Sequence, residues 1–179
     1  MNAVKVAAVV VPIVLAREPV VIFVKRAAHL RRNAGQIAFP GGLADPADAG
    51  RLRRTALREL QEELGIPGEA VELVHQLPGA LVVNRSVAVT PFVGVLRSLP
   101  ALAIDTSEVE RVYQIPLRAI AEPGAVHEGI EHYAGLDIPT WQFDYGGVHV
   151  WGATARILHG FLEAVAENER LRARLKVSP

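Results

Sequence analysis

The stretch from Arg51 to Gly65 reads as one amphipathic helix. Leu52, Ala56, Leu57, Leu60 and Leu64 recur at helical spacing, Arg58, Glu59, Glu62 and Glu63 occupy the other side, and Gly65 is placed to end the helix. The polar side is unusual. Glu59, Glu62 and Glu63 stand at i, i+3 and i+4, so three carboxylates leave one face with Cβ atoms about 5–6 Å apart. An ordinary solvated helix face would alternate its signs, and a like-charge pair at i, i+4 costs about 0.2–0.5 kcal/mol. A hard divalent cation answers that crowding, because Mg²⁺ takes oxygen ligands from one or two carboxylates together with water and substrate phosphate.

The rest of the composition sets broader bounds. A chain of 179 residues, 50% of them hydrophobic, supplies one core, so residues 1–179 are expected to form a single domain. Nineteen basic and nineteen acidic residues give a formal net charge of zero, which removes any global pull toward nucleic acid or anionic membrane. A polyanion site must therefore be local. The absence of cysteine excludes disulfides, thiolate catalysis and Cys-ligated zinc, fits a reducing compartment and leads us to expect a cytoplasmic protein. Histidines at 29, 75, 127, 132, 149 and 159 show no paired metal spacing, which argues against zinc. Met1 to Ala16, with Lys5 ahead of an apolar run, resembles a secretory signal. Pro12 in mid-run and a second apolar run after Arg17-Glu18-Pro19 favour a β-hairpin instead.

Along the chain, Val4 to Leu15 and Val20 to Lys25 are valine- and isoleucine-rich and read as strands buried on both faces. Arg26 to Ala38 turns basic and polar, a loop that Phe39-Pro40-Gly41-Gly42 closes next to something that needs bare backbone. Beyond the helix, strand signals appear at Val71 to Val74, Leu81 to Val83, Val87 to Val95 and Glu110 to Gln114. Trp141, Phe143 and Tyr145 then alternate ahead of a Gly146-Gly147 hairpin turn. Ala153 to about Lys176 carries Ile157, Leu158, Phe161, Leu162, Val165 and Leu171 on a single helical stripe. The order of strand-rich, helix, strand-rich, helix predicts an α/β fold with a mixed sheet between helices.

Arg58-Glu59-Leu60-Gln61-Glu62-Glu63-Leu64-Gly65-Ile66, with the glycine loop ahead of it, resembles the Nudix box. In that motif a glycine, a short loop and a helix carrying Arg-Glu-apolar-x-Glu-Glu-x-Gly-apolar bind divalent cations over a diphosphate. Here the box covers about 42–66. Its common form has a further glutamate in the loop. In this chain, counting forward from Gly42 reaches Asp48 and counting back from Arg58 reaches Gly50, so the loop Leu43 to Gly50 reads as longer. Asp48 either replaces that glutamate or caps the helix, and capping comes first because Asp suits it.

A second motif resembles the coenzyme A pyrophosphatase branch of Nudix hydrolases. Its signature is an arginine, a small residue, three positions, an arginine, three positions, a glycine, three positions and Phe-Pro-Gly-Gly. Arg26, Arg31, Gly35 and Phe39 to Gly42 fall in that register, whereas Val24 and Ala27 stand where the branch usually has threonine and serine. Glu108-Val109 with Ile115-Pro116-Leu117, and Val150 to Leu158, look like later segments of the same branch. Leu77 to Pro91 departs from it: Val83, Asn84, Arg85, Ser86 and Val87 precede Val89-Thr90-Pro91 where bacterial relatives usually carry a threonine and a Ser-Gly pair.

The resemblance implies a Nudix α/β/α sandwich with a central mixed β-sheet. It implies Mg²⁺- or Mn²⁺-dependent hydrolysis of a nucleoside diphosphate linked to another moiety, with coenzyme A cleaved to 4′-phosphopantetheine and 3′,5′-ADP as the leading case. ADP-ribose, a dinucleotide or a nucleoside triphosphate is the nearest rival substrate, and a non-catalytic Nudix-like binding module is the rival from another class. Glu59 and Glu63 are expected as metal ligands, Glu62 as a third ligand or the catalytic base, and Arg58 as the catalytic-site arginine that orients Glu62. Lys25, Arg26 and Arg31 are expected on phosphate oxygens, as arginine forks suit phosphate, while Arg32 reads as solvated. Gln36 would bond substrate or brace the loop, and Gly41 and Gly42 would give the substrate close backbone approach. Glu108 reads as the start of a structural segment, and Glu128 and Glu131 as part of a glycine-containing loop that could cover the site. The Trp141, Phe143 and Tyr145 row reads as a hydrophobic sheet face ahead of an adenine platform. The expected partner is a small-molecule nucleotide, with neither nucleic acid nor membrane. The sequence does not determine the oligomeric state, and a homodimer is compatible with it.

Overall fold

The computed structural model describes residues 4–82 and 87–176. The β-branched runs that open the chain become β1 (Lys5–Val14) and β2 (Val20–Arg26), an antiparallel hairpin with Val14 opposite Val20. Their side chains divide with period two. Ala8, Val10, Val14, Ile22 and Val24 enter one core cluster, while Val11, Ile13, Val21 and Phe23 enter the other. Burial on both faces explains why these strands read as continuous apolar runs. The short strands β3 (Ile37–Ala38) and β4 (Gly41–Leu43) add to β2 and β1.

Further along come β5 (Glu72–Gln76), β6 (Ala80–Val82), β7 (Val87–Leu96) and β8 (Val109–Pro116). β7 runs parallel to β1 over ten matched positions, from Lys5 opposite Val87 to Val14 opposite Leu96. β5 and β6 pair antiparallel with β7, and β8 with β2. Among the described residues this makes an eight-stranded mixed sheet ordered β3-β2-β1-β7-β5, with β4, β6 and β8 attached to β1, β7 and β2. Of the departing segment Leu77 to Pro91, the four positions Val83, Asn84, Arg85 and Ser86 lie outside the described residues.

Helices cover both faces, as the order of elements predicts. α1 (Leu52–Leu64) lays Ala56, Leu60 and Leu64 on the face carrying Val10, Ile22, Phe92 and Leu96. Full burial of Leu60 and Leu64 contributes about 2 kcal/mol each. α3 (Gly152–Glu167) follows α2 (Leu117–Ile120), a single short turn that the sequence pattern did not reveal. On the opposite face α3 packs Leu158, Phe161 and Val165 against Val11, Ile13 and Val93. The single helix expected over Ala153 to about Lys176 is two. α3 stops at Asn168, whose side chain accepts the Leu171 N–H and starts α4 (Glu169–Leu175). The turn redirects the chain and brings Leu171 and Leu175 back into the core.

The strands β9 (Val126–Tyr133), β10 (Leu136–Tyr145) and β11 (Val148–Trp151) form a separate antiparallel sheet ordered β11-β10-β9. Gly146 and Gly147 turn β10 into β11 with φ of 55° and 79°, the double positive φ that a two-residue hairpin requires. Phe143 is 1% exposed, and Trp141 stacks on His159 of α3 with ring centroids 3.7 Å apart. Trp141 and Phe143 thus form a sheet face packed on a helix, while Tyr145 at the end of the row is exposed. Glu128 and Glu131 correct their expectation: both lie on β9 and not in a loop over the site. Glu131 is held by His149 Nε2 at 2.9 Å and Gln142 Nε2 at 3.3 Å.

Candidate active site

The loop ahead of α1 is organised around one buried carboxylate. Asp45 caps the short 3-10 turn Pro46–Asp48, and Asp48, 2% exposed, accepts from Asp45 N at 2.9 Å and Thr55 Oγ1 at 2.8 Å. Arg58 completes the set from the helix, with Nε 3.1 Å and Nη2 3.0 Å from the two Asp48 oxygens. The Arg58 hydrogen bonds and the Asp45 N–H hold the Asp48 carboxyl well below the usual carboxylate range. Asp48 does not cap α1, which is the correction here. The residue at the cap position is Arg51, and it makes no side-chain cap bond. Asp48 instead anchors Arg58 from the loop.

Arg58 reaches Glu62 as expected, and it does more than that. Its remaining donors reach Glu59 Oε1 and Glu62 Oε2, each at 2.8 Å from Nη1, and the Leu43 carbonyl at 3.1 Å from Nη2. With the two bonds to Asp48, all five guanidinium N–H groups are used. No donor is left for substrate. Arg58 is therefore a positioning residue that holds two like charges of α1 side by side and ties them to the loop.

The three glutamates face different surroundings. Glu62 is exposed and, among the described residues, held only by Arg58. Glu63 is 2% exposed, accepts the Gly41 N–H at 3.1 Å and lies 3.5 Å from Arg26 Nη1. Burial pushes the Glu63 carboxyl up to about 8, against the Gly41 N–H and Arg26, which work downward. Burial likewise raises Glu59 from its ordinary value, with Arg58 opposing. Two carboxylates are thus held where their charge is costly, at the ends of a helix face that packs on the glycine segment.

That segment is fixed by its neighbours. Phe39 stacks on Phe23 with centroids 4.7 Å apart, the Pro40 carbonyl accepts Val10 N at 3.0 Å, and β4 pairs Gly41 with Val9 and Gly42 with Ala8. Each glycine has its own reason. At Gly41, with φ of 150°, an added Cβ would lie 2.4 Å from the Ala8 carbonyl oxygen and 2.6 Å from Val9 Cα. At Gly42 it would lie 2.3 Å from Glu59 Oε2. Gly41→Ala is expected to destabilise the fold by about 3 kcal/mol, since rigid backbone blocks it and the φ is strained. Gly42→Ala meets only the end of a flexible side chain; it is expected to fold normally and lose about 10–100-fold in activity through displaced Glu59. Thermal melts and steady-state rates on the two variants separate these effects, and equal melting losses would contradict them.

Glu59, Gly41 and Gly42 line a cavity of about 430 Å³, within the usual size of small-molecule sites. Arg26, Arg32 and Asn33 form its basic wall, Glu108 adds a carboxylate, and Ala153 and Thr154 at the start of α3 close another side. Ala7, Val9, Val87, Val89 and Ile157 make it largely apolar underneath. Of the predicted residues, Arg26, Gly41, Gly42 and Glu59 therefore meet at one cavity. Others do not. Lys25 is turned to Glu110 on the neighbouring strand, 2.6 Å away, and Arg31 and Gln36 are not among the lining residues. Gln36 braces the loop through its backbone, accepting from Arg26 N at 3.0 Å and donating to the Asn33 carbonyl at 3.1 Å. The N–H of Gly41 is given to Glu63 and is not free for substrate.

Arg32, read from the sequence as solvated, and Glu108, read as the start of a structural segment, both line the cavity, as do Asn33 and Thr154, to which the sequence assigned no role. Glu108 arrives because the loop before it caps α1: Ala103 N and Asp105 N each donate at 3.0 Å to the terminal carbonyls of Leu64 and Glu63. Gly65, at φ 69°, permits this close packing against Ala103. No local pattern announces such a long-range cap.

The chain belongs to the Nudix family, since the NUDIX domain profile matches residues 4–132. A relative from Cronobacter sakazakii, called uncharacterized Nudix hydrolase NudL, is 41% identical over 162 residues, spanning 90% of this chain and 83% of its own. The fold is similar to a MutT/nudix family protein from Enterococcus faecalis, with a TM-score of 0.62 at 14% identity over 99% of this chain and 69% of that one. It is also similar to the NUDIX domain of Shewanella oneidensis NrtR, whose structure holds ADP ribose, with a TM-score of 0.53 at 21% identity over 67% and 77% of the two chains. The protein is thus a Nudix hydrolase, an enzyme acting on a nucleoside diphosphate derivative. Nudix hydrolases generally use divalent metals such as Mg²⁺ or Mn²⁺.

The residues present fit such a cation. Glu59 and Glu63 offer hard oxygen donors whose raised proton affinity a bound cation would relieve. Among the described residues no three acidic or histidine side chains already converge on one point. Water and substrate phosphate would have to complete the shell, as is usual for Mg²⁺. Among the same residues no helix is long and apolar enough to cross a membrane.

Proposed function

We propose that this Nudix hydrolase cleaves the diphosphate of coenzyme A to 4′-phosphopantetheine and 3′,5′-ADP, and that residues 1–179 work as one domain with its box over about 42–66. The supporting observation is the loop that carries Arg26, Arg31 and Gly35 in the signature register and runs into Phe39-Pro40-Gly41-Gly42. That loop borders the same cavity as Glu59, so a basic wall and an acidic helix face one nucleotide-sized space. Arg26 adds a specific indication: its Nε is buried without an acceptor among the described residues. A phosphate oxygen in the cavity would satisfy it.

In this reading Glu59 and Glu63 hold Mg²⁺ or Mn²⁺, with Glu62 as a third carboxylate in reach of solvent. The cation, when bound, supplies charge neutralisation on the phosphate oxygens and an acidified water. The chain's residues do the rest. Arg26 spans Glu63 and the cavity and orients the diphosphate. Arg58 keeps Glu59 and Glu62 aligned at 2.8 Å each. As the water oxygen bonds to one phosphorus, the bond from that phosphorus to the bridging oxygen breaks, the other phosphate departs, and the water's proton passes to a carboxylate. Glu108, an exposed carboxylate that lines the cavity, and Glu62, exposed beside Arg58 outside that lining, are our two candidates for that transfer.

A second reading, hydrolysis of ADP-ribose, rests on two observations. The fold is similar to a NUDIX domain solved with ADP ribose, and Leu77 to Pro91 departs from the coenzyme A branch. A panel of coenzyme A, ADP-ribose, a dinucleotide and a nucleoside triphosphate, each with Mg²⁺ and with Mn²⁺, decides between them. Release of 3′,5′-ADP from coenzyme A at the highest kcat/KM is the expected result. ADP-ribose turning over while coenzyme A is untouched would overturn the substrate assignment.

A further inference from the structure

We infer that Arg32, with Asn33 beside it and Thr154 in the lining of the same cavity, forms a second anion subsite for a phosphate monoester carried on the nucleotide away from the scissile diphosphate. This rests on the reading of the cavity as the nucleotide site. The loop geometry separates two arginines along it. At the loop's base, Arg26 N donates to the Gln36 carbonyl and Gly35 N to the Arg26 carbonyl, both at 3.0 Å, which pins Arg26 next to Glu63. Arg32 and Asn33 sit on the excursion this base closes, on its returning arm, where Asn33 adopts a φ of 54° and Gly35 one of 69° to turn the chain back. Both residues line the cavity, whereas the adjacent Arg31 does not.

Charge balance distinguishes the two arginines. Arg26 is partly neutralised by Glu63, 3.5 Å away, and Glu59 by Arg58. Arg32 has no carboxylate partner among the described residues, although it borders the same space. Among the cavity's charges Arg26 and Glu59 are thus paired, and, among the described residues, Arg32 and Glu108 remain as one unpaired cation and one unpaired carboxylate, which leaves Arg32 as the guanidinium free to take an anion. A planar guanidinium, an amide next to it and a hydroxyl in the lining of the same cavity suit the three terminal oxygens of a phosphate monoester. A diphosphate held at the glutamate end would leave this subsite to a different group on the same molecule. Nucleotides with a phosphorylated ribose are therefore selected over those without one.

The test uses binding, so that it stands apart from turnover. Calorimetric titration of the full-length protein with 3′,5′-ADP and with 5′-AMP compares two probes that differ only in the ribose phosphate. In the wild type, 3′,5′-ADP is expected to bind about tenfold more tightly, the size of one charge-assisted contact. Arg32→Ala should bring the two affinities within about twofold by weakening 3′,5′-ADP, and Arg32→Lys should keep part of the preference. Equal affinities in the wild type, or a preference that survives Arg32→Ala, would overturn the subsite. Failure to cleave coenzyme A in the substrate panel would sink the substrate reading while leaving this binding difference in place.

Discussion

Glu63→Gln is expected to give a folded protein whose turnover falls by about 10²–10³-fold, the usual scale for removing one electrostatic contact made to the reacting group. The amide keeps the shape and can still accept the Gly41 N–H, so the glycine segment stays in place. What it loses is the charge that would face a cation and Arg26. Stability should move in the opposite direction. In metal-free protein Glu63 titrates at about 8, above its ordinary 4.5, because burial disfavours the charged form. Its contribution is therefore fully present below about pH 4.5 and is lost as the pH rises through about 8, on the order of a few kcal/mol. Melting curves of the metal-free wild type should fall across that window. Those of Glu63→Gln should lack this component. Turnover within twofold of wild type would remove Glu63 from the site, and an unchanged pH slope would contradict its burial as a charged group.

Arg58→Ala is expected to destabilise the protein at least as much as Gly41→Ala. It strips two hydrogen bonds from Asp48, which is 2% exposed and would keep only Asp45 N and Thr55 Oγ1 as partners. It also leaves Glu59 and Glu62 without their shared cation. Breaking a buried ion pair from one side costs about 3–5 kcal/mol, and the partial exposure of Arg58 argues for the lower end. For a chain of this length that lowers Tm by about 10 °C. Arg58→Lys should not restore it, because one ammonium cannot reach Asp48 in two places and also Glu59, Glu62 and the Leu43 carbonyl. Thermal denaturation of Arg58→Ala, Asp48→Ala and the double variant provides the coupling. If the single losses add without interaction, Arg58 and Asp48 are not one unit.

The parts of this site that were legible in the sequence are those with local causes. The α1 stripe, its end at Gly65 and the crowding of Glu59, Glu62 and Glu63 follow from helical spacing alone. The Gly146-Gly147 hairpin and the double-faced strands β1 and β2 follow from turn chemistry and side-chain alternation. The partner of Asp48 did not, because a caps-or-anchors choice depends on how eight loop residues fold back, which spacing does not encode. Arg31 and Arg32 are neighbours of identical chemistry, and only the loop's closure decides which lines the cavity. Glu108 is far from the box in sequence and is delivered by backbone caps on α1. The break at Asn168 carried a readable signal, an Asn N-cap followed by Glu169 in the first turn, which the continuous apolar stripe obscured.

The most direct measurement is hydrolysis of coenzyme A against Mg²⁺ concentration for the wild type and Glu59→Gln, with circular dichroism confirming that both are folded. Wild-type turnover should rise from background in chelator to saturation, releasing 3′,5′-ADP, and Glu59→Gln should stay near background at every concentration. Cleavage that persists in chelator, or that Glu59→Gln supports within twofold of wild type, would contradict a cation held on this helix face.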